Sequence, residues 1–324
     1  MDLKALDSAK YILINNALEL LDKIKVLDFL KQPQYLDVIC STFNIKHENM
    51  LENMLDILVG EKILSYIDGK YKLNKLEKIN YQEQHKFLKE YYPESLEWFN
   101  FVHKYSENTL ITGTAPELTG FEEEKSIYYW TKIMEQSPYS IRVLAITELY
   151  NSLVEGSVIL DYGCGSGVGI EQLLELSNKN IKIFGTDPSN KFFANAKIRI
   201  NKLQLDNKIK INNKDTVEFI KFTDIDNYKG KFDAIFISII FNHIDQKDYL
   251  NVFKKLHLLL KNNGKLVIVQ FLDFDKFNRN PIWVMHNIPT HRGYPMKKVF
   301  LDNLKSVFNK VDERLNGVIT ISTK

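Results

Sequence analysis

Hydrophobic residues in the first part of the chain recur at the spacing of amphipathic helices. Three stretches, 9–24, 35–45 and 48–64, place their apolar residues three or four positions apart, so that each has one apolar face. Residues 63–74 instead alternate in two short runs around an Asp-Gly pair, which is a strong signal for a β-hairpin. Three helices followed by a hairpin predict an N-terminal all-α winged-helix domain over residues 1–79.

Residues 80–150 keep a helical pattern but are rich in tyrosine, tryptophan and phenylalanine. The stretch "TGTAPELTG" at 112–120 interrupts this pattern with glycine and proline. We interpret residues 80–150 as a helical connector that links two domains and covers a pocket.

From residue 155 onward, short apolar strands alternate with helices. The predicted strands lie near 157–161, 181–186, 208–212, 231–239 and 264–271, and the predicted helices near 168–177, 189–202 and 246–262. Such alternation indicates a parallel sheet that is covered on both faces. Near the C-terminus, two strands joined by Leu315 to Gly317 predict an antiparallel hairpin at one edge. The fold class of residues 151–324 is therefore α/β, with a Rossmann-like, mostly parallel sheet.

Composition narrows the possible partners. The 324 residues are 44% hydrophobic and 26% charged, with a net charge of +2, which is typical of a soluble globular protein. This near-neutral charge gives no reason to expect a nucleic-acid or membrane partner. Cys40 and Cys164 lack the spacing of metal ligands or redox pairs, so we expect no metal site and a reduced, cytoplasmic setting.

The stretch "VILDYGCGSGVG", residues 158–169, places four glycines directly behind an apolar strand and an aspartate. Backbone N–H groups at a helix start are unpaired, and glycine lets a ligand approach the main chain closely. A Walker A loop is excluded because no Gly-Lys-Ser/Thr follows. The G-x-G-x-x-G dinucleotide pattern fails because Val168 or Ile170 occupies its third glycine position. What remains is D-x-G-x-G-x-G, formed by Asp161, Gly163, Gly165 and Gly167.

This motif resembles motif I of class I S-adenosylmethionine (SAM) dependent methyltransferases, and later segments agree with that family in order and spacing. "IFGTDPSN" places Asp187 at the end of the second predicted strand, where the resemblance implies a carboxylate that binds the ribose hydroxyls. "INNKDTVEF" places Asp215 after the third predicted strand, where the family holds the adenine amino group. The resemblance implies SAM as the cofactor, bound by Asp161, the three motif glycines, Asp187 and Asp215.

The order of winged-helix domain, helical connector and catalytic domain resembles the small-molecule O-methyltransferases of plant natural-product and bacterial polyketide or phenazine pathways. The resemblance implies a homodimer formed through the N-terminal domain and a role in secondary metabolism. In "YYWTKIMEQS", residues 128–137, it implies that Met134 borders the cofactor and the substrate. The expected function is transfer of a methyl group from SAM to a hydroxyl of a small, aromatic or apolar natural-product-type molecule.

The candidate catalytic residues follow the fourth predicted strand, in the run Asn242-His243-Ile244-Asp245. Several enzymes of the resembled family use a histidine here as general base, and the near-neutral pKa of histidine suits that task. The family's usual run is Leu-His-Asp-Trp, so a one-residue shift leaves either Asn242 or His243 in the base position. A substrate-orienting or a structural role for His243 also stays open.

Two other functions stay open on the sequence alone: C- or N-methylation of a small molecule, and a non-catalytic regulatory role. DNA binding is disfavoured, because the candidate recognition helix at 47–62 is mostly acidic and phosphate would repel it. The segment 272–295 carries His286 and His291 among aromatic and sulfur side chains. We predict a pocket lid there instead of a metal site, because Pro289 argues against a helix that would align the two histidines.

Overall fold

The computed structural model describes residues 3–74, 81–118, 121–136, 140–176, 179–206 and 216–324. These residues form two compact units: the first contains residues up to 133 together with 272–296, which we call the inserted segment, and the second contains 134–271 and 297–324. The inserted segment lies within the predicted domain 151–324, whereas in the structure it belongs to the first unit. The three-domain division at 79/80 and 150/151 stays a prediction.

The first unit begins with helices and a small antiparallel sheet of order β1-β3-β2. Its elements are α1 (Leu3–Lys23), α2 (Val26–Phe29), β1 (Gln34–Tyr35), α3 (Leu36–Thr42), α4 (Glu48–Gly60), β2 (Leu64–Ile67) and β3 (Lys70–Leu73). The predicted hairpin is confirmed, since Asp68 and Gly69 between β2 and β3 have φ angles of 52° and 80°, the left-handed pair of a tight turn. The short elements α2 and β1 were not predicted, and the winged-helix assignment stays a prediction.

Five helices follow, so the predicted helical character of the connector is confirmed for its described residues. They are α5 (Gln82–Tyr91), α6 (Pro93–His103), α7 (Ser106–Thr112), α8 (Phe121–Glu135) and α9 (Ile141–Asn151). Pro93 occupies the first position of α6, where no backbone N–H is needed. Gly113 ends α7 with a φ of 80°, and its N–H bonds back to the carbonyl of Thr109.

The acidic face of α4 is paired within the first unit. Asp56 is fully buried and accepts a hydrogen bond from the Tyr71 hydroxyl at 2.6 Å. It also forms an ion pair with Arg279 at 2.9 Å. Glu52 pairs with Lys276 at 2.9 Å. Burial raises the pKa of Asp56 to about 6, although Tyr71 and Arg279 oppose that change. A buried carboxylate without a partner is costly. Lys276 and Arg279 of the inserted segment are the partners of the α4 carboxylates, which explains why this segment packs in the first unit.

Three histidine rings meet in the same unit. The ring of His286 lies 5.2 Å from that of His47 and 5.2 Å from that of His291, with an edge toward a face in each pair. Burial lowers the pKa of His286 to about 3, with His47 and Arg279 acting in the same direction. Across the described ranges, no three His, Cys, Asp or Glu side chains are grouped so as to hold a metal ion. His286 and His291 are buried, and His47 is half-buried beside them.

The second unit is built on a seven-stranded sheet of order β6-β5-β4-β7-β8-β10-β9. Its strands are β4 (Val158–Tyr162), β5 (Lys182–Thr186), β6 (Thr216–Phe219), β7 (Phe232–Ser238), β8 (Leu260–Val269), β9 (Lys310–Arg314) and β10 (Ile319–Thr323). Strands β4 to β8 are parallel, whereas β10 pairs antiparallel with both β8 and β9. The predicted α/β fold class, with its antiparallel edge hairpin, is confirmed.

The remaining helices cover this sheet. They are α10 (Val168–Glu175), α11 (Asn190–Leu205), α12 (Tyr249–Leu259) and α13 (Lys297–Lys305). Apolar residues of β4, β5, β7 and β8 pack with α9 and α10 into one core, to which Ile159, Ile183, Ala234 and Val267 each contribute at 1% exposure or less. None of the helices in the described part of the chain is both long and apolar enough to cross a membrane.

The strand β6 at the edge of the parallel sheet was not predicted from the sequence. The predicted strand 208–212 lies outside the described residues, and the described strand that pairs with β5 is β6. β6 is an edge strand whose side chains alternate between exposed and half-buried. Because such a strand needs no continuous apolar run, its hydrophobic pattern is weak, and the sequence predicts no strand at 216–219.

The buried histidine cluster gives the first unit a predictable response to acid. Between pH 6.5 and pH 3 the unfolded chain protonates His286, whereas the folded chain keeps it neutral, so stability is present near neutral pH and is lost as pH falls. We expect His286 to account for about 2 kcal/mol of the decrease in unfolding free energy between pH 7 and pH 5. Urea unfolding at both pH values measures it. His286→Asn should remove this part of the decrease, and an unchanged pH dependence in that variant would contradict the assignment.

Candidate cofactor and acceptor site

The glycine motif forms a left-handed loop between β4 and α10. Gly163, Gly165 and Gly167 have φ angles of 80°, 54° and 83°, a region that side chains with a Cβ rarely adopt. The N–H groups of Gly163 and Cys164 both donate to the carbonyl of Thr186, at 2.8 and 2.9 Å. The loop therefore crosses the carboxyl end of β5 before Gly167 leads into α10.

The glycines of the loop have different neighbours. A Cβ on Gly163 would lie 2.6 Å from Cγ2 of Ile240, and one on Gly167 would lie 3.2 Å from Cα of Ala196. No heavy atom of a described residue beyond its chain neighbours lies within 4 Å of a Cβ position on Gly165. Gly163 and Gly167 thus permit close packing of the protein against itself, whereas Gly165 leaves main chain open to a ligand.

Asp187, at the end of β5, contacts this loop directly. Its carboxylate accepts the N–H of Gly165 at 2.9 Å through Oδ2 and the N–H of Ser189 at 2.8 Å through Oδ1. Burial raises the pKa of Asp187, and the two N–H groups oppose that change. Ser189 in turn accepts the N–H of Phe192 and caps α11. The carboxylate predicted from the sequence therefore lies beside the open glycine.

Asp161 lies beneath the loop, within β4, and is 2% exposed. Its Oδ2 would be 2.8 Å from a Cβ on Gly169, which explains the fourth glycine of the run. Burial raises the pKa of Asp161 to about 7, against the attraction of the Arg142 cation. Asp161 therefore faces the protein interior and the start of α10.

Arg142 is a site residue that the sequence analysis missed. It is 4% exposed, and its guanidinium donates to Oε1 of Gln172 on α10 at 3.0 Å, to Sδ of Met134 at 3.3 Å and to the carbonyl of Met134. Met134 is itself buried in the last turn of α8. The only available signal was an arginine within the otherwise largely apolar stretch 141–150.

A second group follows β7. Ile239 has a φ of 54°, which is unusual for a β-branched residue and marks strained backbone. The next turn, Phe241–His243, is held because Phe241 donates its N–H to Oε1 of buried Gln270 at 3.0 Å. Its carbonyl accepts the Tyr249 hydroxyl at 3.2 Å.

This turn carries both candidate catalytic residues. Asn242 is fully buried, and neither its amide nitrogen nor its amide oxygen has a hydrogen-bond partner among the described residues. His243 is partly exposed. Asn242 and His243 therefore differ in solvent exposure. This difference bears on which of them occupies the base position, a question that the sequence left open.

Asp215, the predicted adenine partner, lies outside the described residues. The residues that follow the carboxyl end of β6 are Ile220 and Lys221, and the ring of Phe222 lies 5.3 Å from that of Tyr162.

Comparisons with known proteins agree with this geometry. Residues 159–264 match a family model described as a methyltransferase domain. No curated protein sequence matches the chain.

Solved structures resemble the chain over nearly its whole length. The CurJ carbon methyltransferase has a TM-score of 0.69 at 14% identity, over 99% of this chain and 91% of that chain. The CMeT domain of the citrinin polyketide synthase has a TM-score of 0.69 at 12% identity, over 98% and 89%. An O-methyltransferase family 2 protein from Planctomyces limnophilus, in complex with apigenin, has a TM-score of 0.56 at 12% identity, over 100% and 94%. At these identities the likeness establishes the fold.

The packing of Gly163 can be tested against a second left-handed glycine of the same unit. Gly163→Ala adds a Cβ 2.6 Å from Ile240 at a φ of 80°, whereas Gly156→Ala meets nothing within 4 Å at a φ of 79°. Gly156→Ala should cost about 1 kcal/mol of unfolding free energy for its backbone alone. Gly163→Ala should cost about 3 kcal/mol, since overpacking adds to the backbone term. Urea unfolding compares them, and equal losses would disprove the close packing.

The left-handed glycine loop, the carboxylate at the end of the neighbouring parallel strand and the matched domain all agree. Residues 159–264 therefore carry a methyltransferase domain, and SAM is its cofactor.

Proposed function

We propose that the protein transfers a methyl group from SAM to a hydroxyl of a small, aromatic or apolar natural-product-type molecule. One observation carries the cofactor part: Gly165 is open on one side, and its N–H is bound by the carboxylate of Asp187 at 2.9 Å. Open main chain and a carboxylate thus lie together at the carboxyl ends of two parallel strands. Ligands of open α/β sheets bind in that position.

The proposed cofactor contacts follow from these neighbours. The methionine and ribose portions of SAM lie against Gly163, Gly165 and Gly167. Asp187 binds the ribose hydroxyls, because each of its oxygens accepts one backbone N–H in the structure and keeps a further lone pair.

The other proposed cofactor residues act from the sides of this loop. Asp161 orients the loop from within β4, where it is buried against Gly169. Met134 borders the cofactor and the substrate. Asp215 remains the proposed partner of the adenine amino group.

Bound SAM supplies an electrophilic methyl group on a sulfonium. The protein then has to hold the acceptor atom in line with that methyl group and to exclude water. For a hydroxyl acceptor, His243 would take the hydroxyl proton as the oxygen–carbon bond forms and the carbon–sulfur bond breaks, which leaves a neutral thioether.

We assign the base to His243 in preference to Asn242. A neutral imidazole has a basic nitrogen, whereas a carboxamide offers only a weakly basic oxygen and two N–H donors. His243 is also partly exposed, while Asn242 is fully buried. Asn242 is proposed to orient the acceptor or the histidine, since both ends of its amide are unpaired among the described residues.

Carbon methylation is the second candidate. The two neighbours with a TM-score of 0.69 are named as carbon methyltransferases or CMeT domains, whereas the O-methyltransferase has a TM-score of 0.56. With an activated carbon acceptor, His243 would remove a proton from carbon instead of oxygen. N-methylation and a non-catalytic regulatory role are further alternatives.

The remaining parts of the proposal come from the family resemblance. They are a homodimer formed through the N-terminal winged-helix domain, a cytoplasmic location and a role in secondary metabolism. Neither a nucleic-acid nor a membrane partner is proposed.

Isothermal titration calorimetry with SAM tests the cofactor site. We expect the folded protein to bind SAM and Gly165→Asp to weaken binding at least 100-fold, because the new side chain would occupy the open face and add a negative charge beside Asp187. Gly230→Asp is the matched control, since Gly230 also has a positive φ, 63°, and open surroundings. Folded protein that does not bind SAM would reject the proposal.

Kinetics with trideuteromethyl-labelled SAM and a panel of phenols, amines and β-dicarbonyl compounds tests the acceptor chemistry. His243→Ala should lower kcat by about 10²- to 10⁴-fold while the Kd for SAM stays unchanged, because a general base acts only in the chemical step. His257→Ala, on α12 of the same unit, is the control. A decrease in kcat of less than threefold would show that His243 only orients the substrate.

NMR of the labelled product identifies oxygen, nitrogen or carbon as the acceptor.

A further inference from the structure

The buried guanidinium of Arg142 joins two separate elements at the edge of the glycine loop. It extends from α9 and bonds Oε1 of Gln172 on α10 at 3.0 Å. It also bonds both the sulfur and the carbonyl of Met134 at the end of α8. One side chain thus fixes the main chain and the side chain of Met134 relative to the helix that begins after Gly167.

Burying this cation is costly unless its charge is balanced and its donors are paired. The donors are paired as described, and the Arg142 cation opposes the rise that burial causes in the pKa of Asp161. Asp161 is the first residue of the glycine motif. The Arg142 cation therefore acts on a residue of the glycine motif.

A second arginine provides a comparison within the same structure. Arg199 on α11 bonds Glu171 at 2.6 Å and Glu135 at 2.8 Å, the residues adjacent to Gln172 and Met134 in sequence. Arg199 therefore links the same two elements as Arg142, but from a half-buried position and through carboxylates.

We infer that Arg142 is a positioning residue for SAM, which sets Met134 and α10 at the distance that the bound cofactor requires. The inference rests on the proposed cofactor site and adds a residue that does not contact the cofactor itself. A lysine cannot replace it, because a single ammonium group cannot bond Gln172 and Met134 in the geometry of the planar guanidinium. Lysine would keep the positive charge near Asp161. Arg142→Lys therefore tests the loss of the guanidinium bonds without the loss of the charge.

Calorimetric titration of SAM into Arg142→Lys, with Arg199→Lys as the matched control, tests the inference. We expect Arg142→Lys to raise the Kd for SAM at least tenfold and Arg199→Lys to raise it less than threefold. The kcat of Arg142→Lys at saturating SAM should stay within threefold of wild type, because the loss is in cofactor affinity and not in the chemical step. Thermal unfolding verifies that each variant is folded.

Equal Kd values for wild type and Arg142→Lys, or an equal loss in Arg199→Lys, would overturn the inference. If Arg142→Lys fails to fold, Gln172→Ala decides, since it removes one partner and leaves the bonds to Met134. An increase of threefold or more in its Kd supports the inference, and an unchanged Kd overturns it. Wild-type protein that does not bind SAM would instead reject the proposed function, so the two failures are distinguishable.

Discussion

The carbonyl of Thr186 accepts the N–H groups of Gly163 and Cys164, and this junction decides where the glycine loop lies. Because β4 and β5 are parallel and in register, the end of one strand lies next to the end of the other. Asp187 follows Thr186 directly, so the same junction places its carboxylate on the N–H of Gly165. Three left-handed residues are needed to turn the chain over this edge, which is why glycine recurs at every second position.

The acceptor side of the site depends on a different constraint, a strained turn that its surroundings hold in place. The positive φ of Ile239 costs about 1–3 kcal/mol and persists only where other contacts determine the backbone. Gln270 and Tyr249 supply them, by bonding the N–H and the carbonyl of Phe241. This backbone conformation places a buried Asn242 and a partly exposed His243 on one short turn. Strain beside the amide of Asn242, which has no hydrogen-bond partner among the described residues, is typical of a functional site.

The parts of the site that follow local rules could be predicted from the sequence. Left-handed backbone after an apolar strand requires glycine, and a carboxylate after the next strand falls at the same edge of a parallel sheet. Arg142 could not be found in this way, because its role depends on Met134 and Gln172, which approach it only in the folded chain. The place of β6 was also obscured, since an edge strand carries little hydrophobic signal.

The inserted segment shows a further limit of sequence reasoning and relates the two units through the chain itself. The acids of α4 argued against DNA binding from the sequence, but their partners, Lys276 and Arg279, lie more than 200 residues away. Charge complementarity at that separation leaves no periodic pattern. The chain passes from one unit to the other at 133/134, 271/272 and 296/297. Met134 stands at the first passage and Gln270 just before the second, so two residues named for the candidate site lie next to the points where the chain changes unit.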